Sequence, residues 1–323
     1  MRKCFATLIV LLLAALWVVS PAVAADKPGE KVKIFVGINP IAYSVERVGG
    51  SNVEVSVLVG PGQDPHTFEL TPRVVARLAK ARVLFEMGFP FEETLVKKVG
   101  STFKNLEVVD LQQGITLRPM TEEEIEAEET AHEAEHEHGH GHGHGEAEEH
   151  EHHHDLGTLD QHTWLDPRLV KIQAKTIADT LIRIDPSHKD QYEKNLKGYL
   201  TDLDALHEQL TNALAPVKGK SFFVFHPALA YFGDAYGLKQ VPVQIGGKEP
   251  TARQLARLIK LAKEDDVRII FVQPQFPTKT AEALAKSIGG AVVPIDTDGA
   301  RDYLKNLKDI AVKLESALSA QKK

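Results

Sequence analysis

The chain has 323 residues, of which 43% are hydrophobic, and a formal net charge of −7. The charge is unevenly distributed, because segment 121–155 contains fourteen Asp or Glu residues and no Lys or Arg, which leaves a net charge of +7 on the rest of the chain. The acidic residues are concentrated in one segment, and the rest of the chain is only weakly basic. This distribution excludes a nucleic-acid binder with a basic face, so we expect no nucleic-acid partner.

The N-terminus is typical of an export signal, which we place at residues 1–24. Arg2 and Lys3 supply positive charge, an apolar run extends from Phe5 to Val19, and small residues allow cleavage near Ala24. The run is shorter than the roughly 20 residues that span a bilayer, so no direct membrane insertion is expected. The single cysteine, Cys4, precedes the apolar run and is expected to be removed with the signal peptide. We therefore predict a soluble protein of the periplasm.

After the signal, short apolar segments alternate with amphipathic ones. The pattern predicts strands at 33–37, 53–59 and 83–86, and helices at 73–81, 91–99 and 167–183. Alternation of this kind indicates an α/β fold with a largely parallel sheet. Thr71 and Pro72 are expected to cap and begin the first of these helices. The first α/β lobe is predicted to span residues 25–186.

An acidic, histidine-rich segment at 121–155 interrupts this lobe. It has no apolar face to bury, so we predict a mobile insertion. Its imidazoles suit weak, exchangeable binding of Zn²⁺, Ni²⁺ or Cu²⁺, and the hypothesis is an auxiliary zinc collector or sensor. The alternative is a solvated acidic insertion with incidental metal affinity. The auxiliary loop ligands would be His132, His136, His138, His140, His142, His144, His150, His152, His153 and His154.

A long helical stripe separates the first lobe from a second alternating block. Apolar residues recur every three or four positions from Tyr192 to Leu214, which predicts one rigid linking helix over 187–215. The following residues, 216–323, repeat the α/β pattern, with strands at 221–225, 267–272 and 291–295 and helices at 251–263, 278–288 and 303–318. The predicted fold is two similar α/β lobes, each with a largely parallel sheet, joined by that helix.

Four candidate metal ligands stand at matching places in this layout: His66, His162, His226 and Asp296. Ligands of open α/β sheets bind beyond the carboxyl ends of the strands, so these side chains are expected to converge in the cleft between the lobes. Three imidazoles and a carboxylate complete a tetrahedral zinc shell. Taken singly, each histidine is more often a structural or surface residue than a ligand.

The sequence around these histidines carries a family resemblance. Gly60–Glu69 (GPGQDPHTFE), Asp160–Pro167 (DQHTWLDP) and Phe223–Pro227 (FVFHP) resemble the metal-binding segments of the zinc and manganese solute-binding proteins of bacterial ABC importers. The resemblance implies that the three histidines bind the metal and that Asp296 completes the site, with Asp298 or a water as alternatives. Manganese-specific members carry a carboxylate where this chain has His226, so three imidazoles favour Zn(II).

The expected function is high-affinity capture of Zn(II) in the periplasm and delivery to the membrane permease of an ABC importer, by a monomer that is not an enzyme. One alternative is a manganese or broad divalent-metal protein of the same transport class. Another is a zinc hydrolase with Glu69 as its base, although no HExxH motif accompanies that residue. A zinc buffer or adhesin without a transporter is a third.

Overall fold

A computed structural model describes residues 31–99, 103–121, 124, 159–244 and 250–320. The predicted signal peptide lies outside the described residues, as do nearly all of the insertion and each of its ten histidines. Within the described part of the chain, no helix is long and apolar enough to cross a membrane.

The first lobe is built on a four-stranded parallel sheet in the order β2-β1-β3-β4. Its strands are β1 (Val32–Val36), β2 (Val53–Val57), β3 (Val83–Glu86) and β4 (Glu107–Asp110). Its first helices are α1 (Asn39–Gly49), α2 (Pro72–Leu78) and α3 (Pro90–Val99). Sequence analysis missed α1 and β4. β4 lacked a signal because its side chains are half-buried or exposed, which leaves only a short apolar pair.

Two long helices follow, α4 (Pro167–Ile184) and α5 (Lys189–Leu214). The 26 residues of α5 give it a length of about 39 Å. It begins two residues later than predicted, because Pro186–His188 form a 3-10 turn. The predicted stripe is confirmed, since all its members except the half-buried Leu196 are buried: Tyr192, Tyr199, Leu203, Leu206, Leu210 and Leu214.

The second lobe repeats the plan of the first, with a four-stranded parallel sheet in the order β6-β5-β7-β8. Its strands are β5 (Ser221–Val224), β6 (Lys239–Pro242), β7 (Ile269–Val272) and β8 (Ala291–Pro294). Its helices are α6 (Ala230–Tyr236), α7 (Ala252–Glu264), α8 (Lys279–Ser287) and α9 (Tyr303–Ser319). Sequence analysis missed α6 and β6. The two-lobed α/β architecture is as predicted.

Helix α5 joins the lobes by packing against both. It lies against α1 and α4 of the first lobe and against α6 and α9 of the second. Buried apolar residues of all five helices belong to one continuous core, which also includes residues of β1 and β5. Relative movement of the lobes is therefore limited by a shared core as well as by the helix itself.

Buried and partly buried hydrogen bonds also cross between the lobes beside the cleft. Trp164 donates from Nε1 to the carbonyl of Thr297 at 2.7 Å, and the Tyr303 hydroxyl donates to the carbonyl of Trp164 at 2.7 Å. Asn39 at the start of α1 donates to the carbonyl of Gly299 at 2.8 Å. These bonds fix residues 297–299, which follow β8, against the first lobe.

Candidate metal centre

His66 lies in the loop between β2 and α2, and Asp64 shapes that loop. One carboxylate oxygen of Asp64 accepts the backbone N–H of His66 at 2.9 Å, and the other accepts the Thr67 hydroxyl at 3.2 Å. The His66 ring meets the edge of Phe89, with centroids 5.7 Å apart. Thr71 then caps α2 by accepting from Val74 N, and Pro72 begins the helix, as the sequence indicated.

His162 lies just before a 3-10 turn at Thr163–Leu165 that leads into α4. Asp160 Oδ1 contacts it twice, by accepting the backbone N–H at 2.9 Å and by bonding ring Nδ1 at 2.8 Å. Both side chains are buried. The Trp164 ring lies 5.1 Å from the imidazole, so Trp164 is a core residue that also forms a wall of the cleft. With Nδ1 occupied, Nε2 is the nitrogen of His162 that faces the other imidazoles.

His226 lies two residues after β5, where buried Gln273 holds its backbone. The Gln273 amide donates to the His226 carbonyl at 2.8 Å and accepts from its N–H at 3.2 Å. The ring of Phe276 lies 5.0 Å from the imidazole. Burial lowers the pKa of His226 well below its ordinary value, and the neighbouring His66 and His162 lower it further. His226 is therefore neutral at physiological pH, as a metal ligand must be.

The structure brings the three predicted histidines together. One ring nitrogen from each of His66, His162 and His226 lies within 4.8 Å of the other two. The Nε2 atoms of His162 and His226 are 3.2 Å apart. Nε2 of His66 is buried and has no hydrogen-bond partner. A buried nitrogen without a partner is costly unless something binds it, so the arrangement is suited to a cation at its centre.

The acidic residues after β8 are placed differently. Among the described residues, the close group of ligand atoms has three members, and neither Asp296 nor Asp298 is one of them. Asp296 Oδ1 accepts the backbone N–H groups of Asp298 and Gly299, at 3.2 and 2.7 Å. Burial, together with the nearby Asp296, raises the pKa of Asp298 to about 7, and His162 acts in the opposite direction. Asp298 therefore lies close enough to His162 for an electrostatic interaction between them.

Sequence analysis missed the residues that hold the ligands, namely Asp160, Gln273 and Gln244. One signal was available, because the triplet Asp-x-His occurs at both 64–66 and 160–162 and each aspartate accepts the backbone N–H of its histidine. The contact from Asp160 to the His162 ring, and the glutamines beside His226, had no sequence signal.

Comparison with known proteins yields one family. Residues 34–317 match the family described as zinc-uptake complex component A, periplasmic. The chain is similar to the high-affinity zinc uptake system protein ZnuA of Bacillus subtilis (strain 168), with 31% identity over 89% of this chain and 85% of that protein. It is similar to the protein of the same name from Brucella suis biovar 1 (strain 1330), with 34% identity over 90% of this chain and 93% of that protein.

A solved structure with the same overall fold is that of a zinc-bound deletion mutant of ZnuA. It superposes with a TM-score of 0.76 at 37% identity, and the alignment covers 91% of this chain and 100% of that one.

Proposed function

This chain belongs to the family of periplasmic zinc-uptake complex component A proteins, and we propose that it captures Zn²⁺ outside the inner membrane and delivers it to the permease of an ABC importer. Proteins of this family are solute-binding transport proteins and not enzymes. The observation that carries the proposal is the convergence of three imidazoles from distant parts of the chain on one buried point.

The proposed ligands are His66, His162 and His226. Neutral imidazole is a preferred zinc ligand, whereas oxygen-rich sites suit Mn²⁺ better. The low pKa of His226 leaves its imidazole unprotonated and available to the ion. The donor set therefore favours zinc over manganese, which remains the alternative within the same transport class.

For the fourth ligand, a carboxylate from the segment after β8 is proposed. Asp296 was the sequence-based choice, but one of its oxygens is used to hold the backbone of residues 298 and 299. Among the hydrogen bonds of the described residues, the Asp298 carboxylate accepts only from Gln275, at 3.2 Å to each oxygen. It also interacts electrostatically with His162. These observations favour Asp298. With four protein ligands, no coordination position is left for the reactive water of a hydrolase.

Exchanging each aspartate for asparagine distinguishes the two. Asp298→Asn is expected to weaken zinc binding about tenfold, because a neutral amide oxygen is a poorer ligand than a carboxylate. Asp296→Asn keeps an acceptor for the backbone N–H groups and is expected to change affinity by less than about threefold. Competition titration with a zinc chelator measures both. The reverse order of effects would restore Asp296 as the ligand.

The route of release is proposed to be movement of the loop that carries His66. The segment 297–299 is fixed to the first lobe by the bonds from Trp164 and Asn39. In contrast, the side-chain hydrogen bonds of Gln63 and Asp64 stay within the His66 loop, and several of its residues are exposed. Docking of the permease would shift this loop only through contacts that differ between the bound and released states.

Removing the histidine-rich insertion tests whether the cleft is the principal site. Deletion of residues 126–155 removes all ten insertion histidines but keeps Glu124, which is buried and bonded to Arg118 and Gln240. We expect fewer zinc ions per chain and one tight site retained, measured by metal analysis and calorimetry. Loss of the tight site with the insertion would contradict the proposed function.

A further inference from the structure

The two closest imidazoles of the cluster face each other through Nε2. Nε2 of His162 and Nε2 of His226 are 3.2 Å apart. If His162 is to bind an ion between the rings, its Nε2 must offer a lone pair, so the hydrogen of the neutral ring must be on Nδ1. The contact at Nδ1 decides between the two tautomers of His162.

Asp160 makes that decision for His162. Its Oδ1 bonds Nδ1 of the ring at 2.8 Å, and a carboxylate can only accept, so Nδ1 carries the hydrogen and Nε2 has the free lone pair. The carboxylate belongs to an ion pair with Arg118, at 3.5 Å from its Oδ2. Its backbone is fixed as well, because Asp160 N donates to Arg118 O at 3.0 Å. Its position is therefore set before metal arrives.

The second lobe contributes to the same contact. The hydroxyl of Tyr231 on α6 donates to the carbonyl of Asp160 and accepts the backbone N–H of Arg118, both at 2.9 Å. Three points on two lobes thus fix Asp160, which itself is 0% exposed.

We propose that Asp160 is a positioning residue that presets His162 as a zinc ligand, by holding the hydrogen of its ring on Nδ1 and leaving the Nε2 lone pair for the ion. The inference rests on the proposed function, because it assumes that zinc binds to these imidazoles. It assigns to Asp160 a role in affinity that does not involve contact with the ion.

Asp64 provides a matched control for Asp160. Both are the first residue of an Asp-x-His triplet, and both accept the backbone N–H of the histidine at 2.9 Å. The second oxygen of Asp64 accepts from Thr67, whereas Asp160 bonds the ring of its histidine. Exchanges at the two positions therefore differ in the contact to the imidazole.

The experiment measures zinc affinity in three variants. Asp160→Asn keeps an acceptor but loses the charge, and is expected to weaken binding about tenfold. Asp160→Ala removes both and is expected to weaken binding about a hundredfold. Asp64→Asn is expected to weaken it less than about threefold.

Nitrogen-15 NMR of the metal-free protein at pH 8 separates positioning from general loss of structure. His162 is expected in the Nδ1–H form in wild type and in Asp64→Asn, and in a mixture of tautomers in Asp160→Ala. The Asp160 assignment fails if Asp160→Ala keeps the Nδ1–H form or binds zinc as tightly as Asp64→Asn. If changing all three histidines leaves tight zinc binding intact, the proposed function itself fails.

Discussion

Changing His66, His162 and His226 to alanine is expected to abolish the tight zinc site. The apparent free energy of binding for structural zinc sites is about 10–16 kcal/mol, so each of four ligands contributes on the order of 3 kcal/mol, or about a hundredfold in affinity. Loss of three ligands leaves at most one carboxylate and solvent, which does not compete with a micromolar chelator. Each single change is expected to weaken binding about a hundredfold.

These measurements are best made on the chain lacking residues 126–155, because the ten insertion histidines are expected to bind zinc weakly, which would mask the loss. His207→Ala is the matched control: this imidazole lies on α5, contacts Tyr236 and is not a member of the close group of ligand atoms. It is expected to keep the zinc stoichiometry and affinity of the parent. A triple variant that still binds one zinc ion tightly would place the principal site elsewhere.

The second large effect is expected on the free energy of unfolding, and it arises from Glu92. This carboxyl group near the start of α3 is 0% exposed, and burial raises its pKa to about 8. Its Oε2 accepts the N–H groups of Met87 and Phe89 at 2.8 and 3.0 Å, and its Oε1 has no partner. Those bonds hold the turn that presents Phe89 to the His66 ring. In the folded protein, Glu92 is therefore a neutral carboxylic acid at pH values below about 8.

The sign of the pH dependence follows from where the proton is bound. Below the ordinary pKa near 4.5, both folded and unfolded chains are protonated and the stabilisation is fully present. As pH rises towards about 8, only the unfolded chain loses its proton, so the free energy of unfolding falls by about 1.4 kcal/mol per pH unit. The total is on the order of 5 kcal/mol, and no further loss from this group is expected above its folded pKa.

Glu92→Gln tests this expectation, because the amide has the hydrogen-bonding groups of the neutral acid but does not titrate. The two zinc-free proteins are expected to unfold at similar urea concentrations at pH 5, and the variant is expected to be several kcal/mol more stable at pH 8. Histidine titration is common to both chains and cancels in the difference. A stability difference that stays constant between pH 5 and pH 8 would show that Glu92 does not carry the raised pKa.

Much of the fold was legible in the sequence because its signals are local. The period of the apolar residues identified α5 within two residues, and the Thr71-Pro72 pair identified the start of α2. Three of the missed elements had weaker signals: β4 has two valines between acidic residues, β6 has one valine beside Lys, Gln and Pro, and α6 is a seven-residue helix rich in aromatic residues. Tertiary packing, rather than local propensity, stabilises such short elements.

For the site, the sequence could name candidate ligands but not their surroundings. His66, His162 and His226 each stand in a recognisable motif after a strand or before a helix, and the end of a parallel strand faces the cleft by geometry alone. The choice between Asp296 and Asp298 could not be made from sequence. The two aspartates are two residues apart and both follow β8. They are distinguished only by the backbone turn, in which Asp296 accepts the N–H groups of residues 298 and 299.

By itself, the sequence determined the two α/β lobes, the long linking helix, the charge confined to one tract and the three imidazoles, because periodicity, composition and motifs are properties of neighbouring residues. Only the tertiary structure decided how those imidazoles are held: Asp160 against His162, Gln273 and Gln244 beside His226, and Glu92 beneath the turn of Phe89. Such contacts join side chains that are brought together by folding, and burial gives them their energy, since a polar group removed from water must find its partner within the protein.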